Sequence, residues 1–348
     1  MTTAPPGPSA RMLLAAPDKF RGSLSAPEVV AAIGAGARGS GWRCTAAPMA
    51  DGGEGMLDAF GGPDRTSEVT GPLGAPVAAA WRLGDGSVAV IESAVASGLV
   101  LAGGAEGNDP MAATSAGTGE LIAEAVLAGA RRVVVGLGGS AMTDGGLGAV
   151  DAVLGLLGGD RPVDRGVELL VACDVQTPFT EAARVFGPQK GADPDQVEQL
   201  TRRLEALKDD YARRFDVDLS VLPGGGAAGG LGGGLVVLGA HLVPGLDLVA
   251  EQVDLAGRMA GADLVVTGEG ALDAESFNGK VVGGVAQLAR ERGIPVLVIT
   301  GIVRADAPAD HLADLSVVDL TRTYGQRASW DRTARCIEQA VLDHLTQV

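Results

Sequence analysis

The sequence predicts an α/β fold in two parts, and three observations carry that prediction. Strand-helix-strand text stands at both ends of the chain, the middle changes to short alternating runs broken by glycine and proline, and 348 residues exceed the usual size of one domain. Because the two ends share one pattern, residues 11–65 and 259–348 are expected to pair into one discontinuous parallel-sheet domain. Residues 66–258 are then an inserted α/β domain containing antiparallel hairpins. Residues 1–10, rich in proline, alanine and serine, read as a disordered tail.

Each element has its own signal. Met12 to Ala16 reads as a buried strand, and Ser25-Ala-Pro-Glu28 has the capping-box form that opens a helix, with Val30, Ile33 and Ala37 on its apolar face. Thr45 to Met49 reads as a second strand running into Asp51-Gly-Gly-Glu-Gly55, which completes a β-α-β unit. Between Ser67 and Ser93, the turns Gly71-Pro72, Gly74 and Gly84-Asp85-Gly86 separate alternating runs, the pattern of hairpins. A helix over 118–130, strands over 132–136 and 169–173, and a helix carrying Val197, Leu200, Leu204, Leu207 and Tyr211 follow. Strands over 263–267, 295–300 and 316–320, with a helix after Gly279, restore the alternation. Trp330, Ala334, Ile337, Val341 and Leu345 form the apolar stripe of the last helix.

Charge and composition exclude several function classes. A net charge of −16 with no basic stripe repels nucleic-acid phosphates and anionic membranes, so neither is expected as a partner. No apolar run approaches the roughly 20 residues of a bilayer span, and Met12 to Ala16 is too short for a signal-peptide core. Cys44, Cys173 and Cys336 are odd in number and widely spaced, which suits reduced thiols and a cytoplasmic location. His241, His311 and His344 lie too far apart to suggest a metal cluster or a triad.

Glycine is the compositional outlier. At 54 residues it is about twice its usual share of roughly 7%, and it gathers at 52–55, 136–146 and 224–234. In the second cluster a strand ends in a turn where the amides around Gly138 and Gly139 can face an anion. The Ser140 and Thr143 hydroxyls can add phosphate contacts there, and Asp144 can hold a metal or take a proton. The alternative is a tight turn in which glycine only supplies positive φ. Gly136, Gly138 and Ala141 also fit a loose dinucleotide fingerprint, which makes a nicotinamide enzyme a rival, but Thr143-Asp-Gly-Gly146 interrupts the helix that fingerprint requires. Gly224, Gly225 and Gly226 open a second candidate cradle, with close helix packing or a hinge as its alternative. Asp18, Asp51, Asp174 and Glu269 stand just past expected strand ends, where open α/β sheets bind ligands, with Asp273 close behind. Lys19, Arg21, Lys190 and Lys280 lie beside these turns, placed either to hold anionic groups or to be solvated.

Several ordered motifs together resemble the bacterial glycerate kinase family. They run from Ala16-Pro-Asp-Lys-Phe-Arg-Gly-Ser-Leu-Ser25 through Pro48-Met-Ala-Asp-Gly-Gly-Glu-Gly55 and Ala113-Thr-Ser-Ala-Gly-Thr-Gly-Glu-Leu-Ile122. The turn at 138–146, Phe186-Gly-Pro-Gln-Lys-Gly-Ala192, the 223–232 segment and Val266-Thr-Gly-Glu-Gly270 continue the series over nearly the whole chain. The resemblance implies a Rossmann-like domain with an inserted α/β domain, and phosphorylation of glycerate to phosphoglycerate by ATP with Mg2+. Joined to strand-end position, it makes Asp51, Asp18 or Asp144 the catalytic carboxylate, and Asp174 and Glu269 the magnesium ligands. Gly138, Gly139, Ser140, Thr143, Gly224, Gly225, Gly226 and Lys190 then surround the nucleotide, and Lys19, Arg21, Glu54 and Lys280 the hydroxy acid.

The chain departs from the family pattern where substrate choice is at stake. Thr177-Pro-Phe179 and a shortened loop follow Ala172-Cys-Asp-Val175, Ala271 stands where an arginine is usual, and Glu275 stands where glutamine is common. Unless another cation compensates, glycerate binds more weakly, and a related hydroxy acid or polyol is the alternative acceptor. From another class, the alternative is a non-catalytic sensor that keeps the ligand site. The oligomeric state stays open, a homodimer being one option.

Overall fold

The computed structural model describes residues 11–84 and 87–347. The segment read as a disordered tail, residues 1–10, and Asp85-Gly86 of the third expected turn lie outside them. The strands, in chain order, are β1 Met12–Ala15, β2 Arg43–Ala46, β3 Arg65–Thr70, β4 Pro76–Gly84, β5 Val88–Glu92, β6 Arg132–Gly136, β7 Glu168–Ala172, β8 His241–Val243, β9 Leu264–Leu272, β10 Val296–Val303 and β11 Ser316–Asp319.

The chain divides into two compact units. One holds the described residues of Met1–Asp51 and Val249–Val348, the other Gly52–Leu248. The glycine turn 52–55 therefore goes with the second unit, although the strand that leads into it belongs to the first.

In the first unit five parallel strands lie in the order β11-β10-β9-β1-β2. Counted along this unit alone the order is 2-1-3-4-5, the second common doubly wound arrangement rather than the 3-2-1-4-5-6 order. One face of the sheet packs Leu13, Ala15, Val266, Leu297 and Ile299 against Val29 and Ile33 of the helix Ala26–Gly39, and against Ile337 and Val341 of the helix Thr333–Leu345. That first helix starts as its sequence dictates: the Glu28 carboxylate accepts from the Ser25 amide at 2.8 Å and from its hydroxyl at 2.9 Å. The last helix corrects the expected stripe. It begins at Thr333, its buried face is Cys336, Ile337, Ala340, Val341 and Leu345, Ala334 faces solvent, and Trp330 sits in the preceding helix Gln326–Asp331 at 63% exposure.

The second unit holds a six-stranded sheet in simple sequence order, β3-β4-β5-β6-β7-β8. β3, β4 and β5 pair antiparallel, as the alternating runs predict, and β5 through β8 pair parallel. Helices Ala116–Leu127, Leu147–Leu156 and Pro194–Phe215 connect the parallel strands. The last of these opens with Asp193 and Gln196 exchanging side-chain-to-amide bonds at 2.8 and 3.0 Å, and it buries Leu200, Leu204 and Tyr211.

Candidate active site

In an open parallel sheet the ligand crevice lies at the carboxyl ends of the strands where the strand order reverses. In the first unit that point is between β1, whose chain continues outward to β2, and β9, whose chain continues the other way to β10. Asp18 leaves β1 there, its amide bonded to the Gly268 carbonyl at 2.9 Å. Glu269 lies inside β9 rather than beyond its end, because Gly268-Glu-Gly270 stays paired with β10 through Leu272. A cavity of about 1000 Å³ opens at this edge and is lined by Asp18, Lys19, Arg21, Asp51, Glu269 and Lys280 among others.

Charges inside this cavity are arranged in opposition. Asp51 accepts from the Lys280 ammonium at 2.7 Å, and Lys280 sits at the start of the helix Val281–Glu291. Asp18 accepts from the Lys19 amide at 2.7 Å and lies 3.7 Å from its ammonium, both side chains being 13% exposed. Burial pushes the Asp18 carboxyl up to about 6, with Lys19 pulling it down and Asp51 pushing it up. Burial likewise raises Glu269 to about 7; the Ser276 hydroxyl pulls against this, and Asp18 and Asp273 add to it. Glu269 Oε1 is buried with no hydrogen-bond partner among the described residues. Two carboxyls near neutrality at a switch point form a group that can take a proton or meet a hard cation.

The second unit places its candidates differently. The glycine turn after β6 has Gly139 exposed at φ +58° and Gly138 half-buried. Ser140 and Thr143 are buried. Ser140 Oγ accepts from the Lys190 ammonium at 2.8 Å, which also donates to the Met142 carbonyl at 2.6 Å. Lys190 is 2% exposed, and burial lowers its pKa to about 7. It thus braces the turn from beneath. Asp144 also works inside the turn. Its carboxylate accepts from the Ser115 amide and hydroxyl and from the amides of Gly146 and Gly148, tying together the starts of two helices. No helix follows the first glycines directly, since Gly145 and Gly146 both have positive φ and the helix begins at Leu147. This removes the geometry a dinucleotide fingerprint needs.

Gly224, Gly225 and Gly226 are buried against the loop after β7. A Cβ on Gly226 would stand 2.4 Å from the Pro178 carbonyl oxygen. Further along, a Cβ on Gly229 would come within 2.1 Å of the Met142 oxygen, and one on Gly230 within 2.7 Å of the Gly145 Cα. The segment lies backbone to backbone under the glycine turn, so close packing explains these glycines. Asp174 is exposed after β7 and accepts from the Gly245 amide at 2.9 Å. Glu54 is exposed on the 52–55 turn. The sequence reading missed Glu92, a buried carboxylate that accepts from the amides of Gly55 and Leu57 and so fixes that turn. It also missed Arg304, which lines the cavity of the first unit just past β10. The strand-end rule that picked out Asp18 applies equally to Arg304.

A profile described as the glycerate kinase family matches residues 13–161 and 157–347, which together span nearly all of the described chain. The chain belongs to the glycerate kinase family. It is 38% identical over 340 residues to the glycerate 2-kinase of Escherichia coli, covering 88% of this chain and 89% of that one. It is 40% identical over 333 residues to the glycerate kinase of Bacillus subtilis, covering 85% and 86%. An uncharacterized Mycobacterium tuberculosis protein is 44% identical over 310 residues, covering 86% and 81%. A crystal structure of a candidate glycerate kinase 2 from Salmonella typhimurium aligns with a TM-score of 0.82 at 36% identity, over 97% of this chain and 98% of that one. As a kinase of this family, the chain transfers a phosphoryl group to an alcohol.

Proposed function

We propose that this kinase phosphorylates glycerate with ATP and Mg2+, and that Asp18 accepts the proton of the attacking hydroxyl. The observation that carries the reading is the Asp18–Glu269 pair, two half-buried carboxyls at the switch point of a parallel sheet whose desolvation raises both toward neutrality. A general base works best when its pKa lies near the working pH, and Asp18 at about 6 meets that condition. Asp51 carries the same charge but is committed to Lys280, so it orients that lysine instead. The hydroxyl oxygen attacks the γ-phosphorus, its proton passes to Asp18 and ADP leaves.

Magnesium usually takes one or two carboxylates and completes its shell with water and substrate phosphates. The residues fit that pattern. Glu269 offers a buried oxygen with no hydrogen-bond partner among the described residues, and no preformed cage of three or more histidine, cysteine or acidic groups exists among them. Glu269 is therefore the residue assigned to the ion, which when bound neutralises charge on the transferred group. The accessible Gly138-Gly139 corner is assigned to the nucleotide phosphates, with Lys190 holding its shape. Ala271 lines the acceptor cavity beside five acidic residues, and of the cations there Lys19 and Lys280 face carboxylates, so support for an anionic acceptor over a neutral polyol rests on Arg21 and Arg304. The test is coupled ADP release with glycerate, other hydroxy acids and polyols, with and without Mg2+. Turnover on glycerate that requires Mg2+ is expected. Hydroxy-acid binding with no ADP release under any condition would favour a sensor and refute the reading.

A further inference from the structure

Positive charge in the acceptor cavity is unevenly committed. Lys280 is bonded to Asp51 and Lys19 lies beside Asp18, so each ammonium already faces a carboxylate. Arg21 and Arg304 line the same cavity, and neither has an ion pair or a side-chain hydrogen bond among the described residues; the Arg304 amide is bonded to the Leu272 carbonyl at 2.8 Å, and what sets Arg304 apart from Arg21 is its place in the strand row. In a chain of net charge −16, each of these guanidinium groups borders a cavity lined by five acidic residues and is tied to none of them among the described residues. A small dianionic or monoanionic ligand there must overcome Asp18, Asp51, Glu269, Asp273 and Glu275, and needs a cation not already neutralised.

Strand register says where that cation lies. Thr300 of β10 pairs with Glu269 of β9, Ile302 with Ala271, and Val303 with Leu272. Alternate residues share a face, so Glu269 and Ala271 lie on the same face as Thr300 and Ile302, and Arg304 continues that row one step past the strand end. Arg304 is four residues beyond the partner of Glu269, or about 13 Å along the strand at the usual rise. An arginine side chain is long enough to close part of that distance, and Ala271 puts only a methyl group in the middle of the row. A short hydroxy acid lying along this row could set its hydroxyl at the Asp18–Glu269 end and its carboxylate at the Arg304 end.

We propose that Arg304 is the specificity-determining residue of this site and binds the carboxylate of the acceptor through its guanidinium. The proposal rests on the reading of the cavity as the acceptor site. A planar guanidinium can meet a carboxylate with two parallel hydrogen bonds, which an ammonium cannot. The test compares the native protein with Arg304→Met and Arg304→Lys in two measurements: calorimetric titration with glycerate, and steady-state kinetics with glycerate and ATP varied separately. Arg304→Met is expected to weaken glycerate binding and raise its KM by about 10- to 100-fold, the range for losing a charged hydrogen-bonded contact. The KM for ATP is expected to stay within about threefold, as is weak turnover of glycerol, which has no carboxylate to lose; Arg304→Lys recovers only part of the loss. Equal glycerate affinity in native and methionine proteins would overturn the proposal. So would a matching rise in the KM for ATP, or a native protein that does not bind glycerate. Native binding that depends on Arg304 without any ADP release would leave this assignment standing and refute the kinase reading instead.

Discussion

Replacing Asp18 with asparagine separates chemistry from folding. The asparagine carbonyl can keep the bond that Oδ1 now accepts from the Lys19 amide at 2.7 Å, so the loop after β1 retains its anchor. What disappears is a negative charge held in a site only 13% exposed. Its pKa rises from an ordinary 3.8 to about 6 even with Lys19 pulling it down, a net shift that corresponds to about 3 kcal/mol of native-state destabilisation at pH 7. Asp18→Asn is therefore expected to melt at the same temperature as the native protein or higher. Loss of a general base costs about 10²- to 10⁴-fold in kcat, or about 3 to 5 kcal/mol of transition-state stabilisation. Native kcat/KM for glycerate is expected to rise with pH as Asp18 loses its proton, and the variant is expected to lose that limb. Pre-steady-state and steady-state ADP release across pH 5 to 9, with thermal melts on the same samples, make the measurement. A stable variant within about threefold of native kcat would remove Asp18 as the base, and a variant that melts far below native would remove the claim that its charge is a cost to folding.

Two further outcomes follow from buried groups. Lys190 has its pKa lowered to about 7 by burial, so the unfolded chain binds the extra proton at higher pH, and the lysine's contribution to stability grows as pH rises from about 7 toward 10.5 and is lost as pH falls through 7. Urea unfolding of native and Lys190→Met proteins is expected to differ in slope by up to about 1.4 kcal/mol per pH unit in that window; parallel pH profiles would mean the lysine is charged inside the fold. Gly229→Ala is expected to destabilise by several kcal/mol or to prevent folding. The new Cβ would meet the Met142 oxygen at 2.1 Å, and φ at this position is +71°; an unchanged urea midpoint would contradict the backbone contact described for the glycine turn.

Much of this architecture is legible in the sequence, and the misses have physical reasons. Val133-Val-Val135 and Val296 to Ile299 are apolar runs bounded by turn residues, which only buried parallel strands accommodate at that length. β9 is longer than its pattern suggests because Gly268-Glu-Gly270 looks like a turn locally, whereas its pairing with β10 keeps it extended. Glycine clusters carry the same ambiguity. Gly139 and Gly226 stand in similar text, yet one faces solvent and the other is pressed against a carbonyl, and only tertiary packing separates an anion cradle from a close backbone contact. Asp18 and Asp51 were visible by their position after β1 and β2, but which of them is free to move a proton depends on Lys280, 229 residues away from Asp51 in sequence. Arg304 had no motif around it at all.

The split origin of the first sheet bears on when the enzyme comes into being. β1 leaves the ribosome before the second unit and acquires its second neighbour, β9, only after residues 52–248 have been made. At about 5–20 residues per second this interval is on the order of ten to forty seconds. Throughout it one edge of β1 stays unpaired, while the contiguous six-stranded unit can complete itself. Asp18 is thus among the first site residues to emerge and Glu269 among the last, so an unfinished chain carries the glycine turn without the carboxylate pair. On the proposed assignment, nascent protein of this design holds no phosphoryl-transfer centre until β9 inserts beside β1, and meanwhile one edge of β1 offers unpaired backbone groups to any other chain.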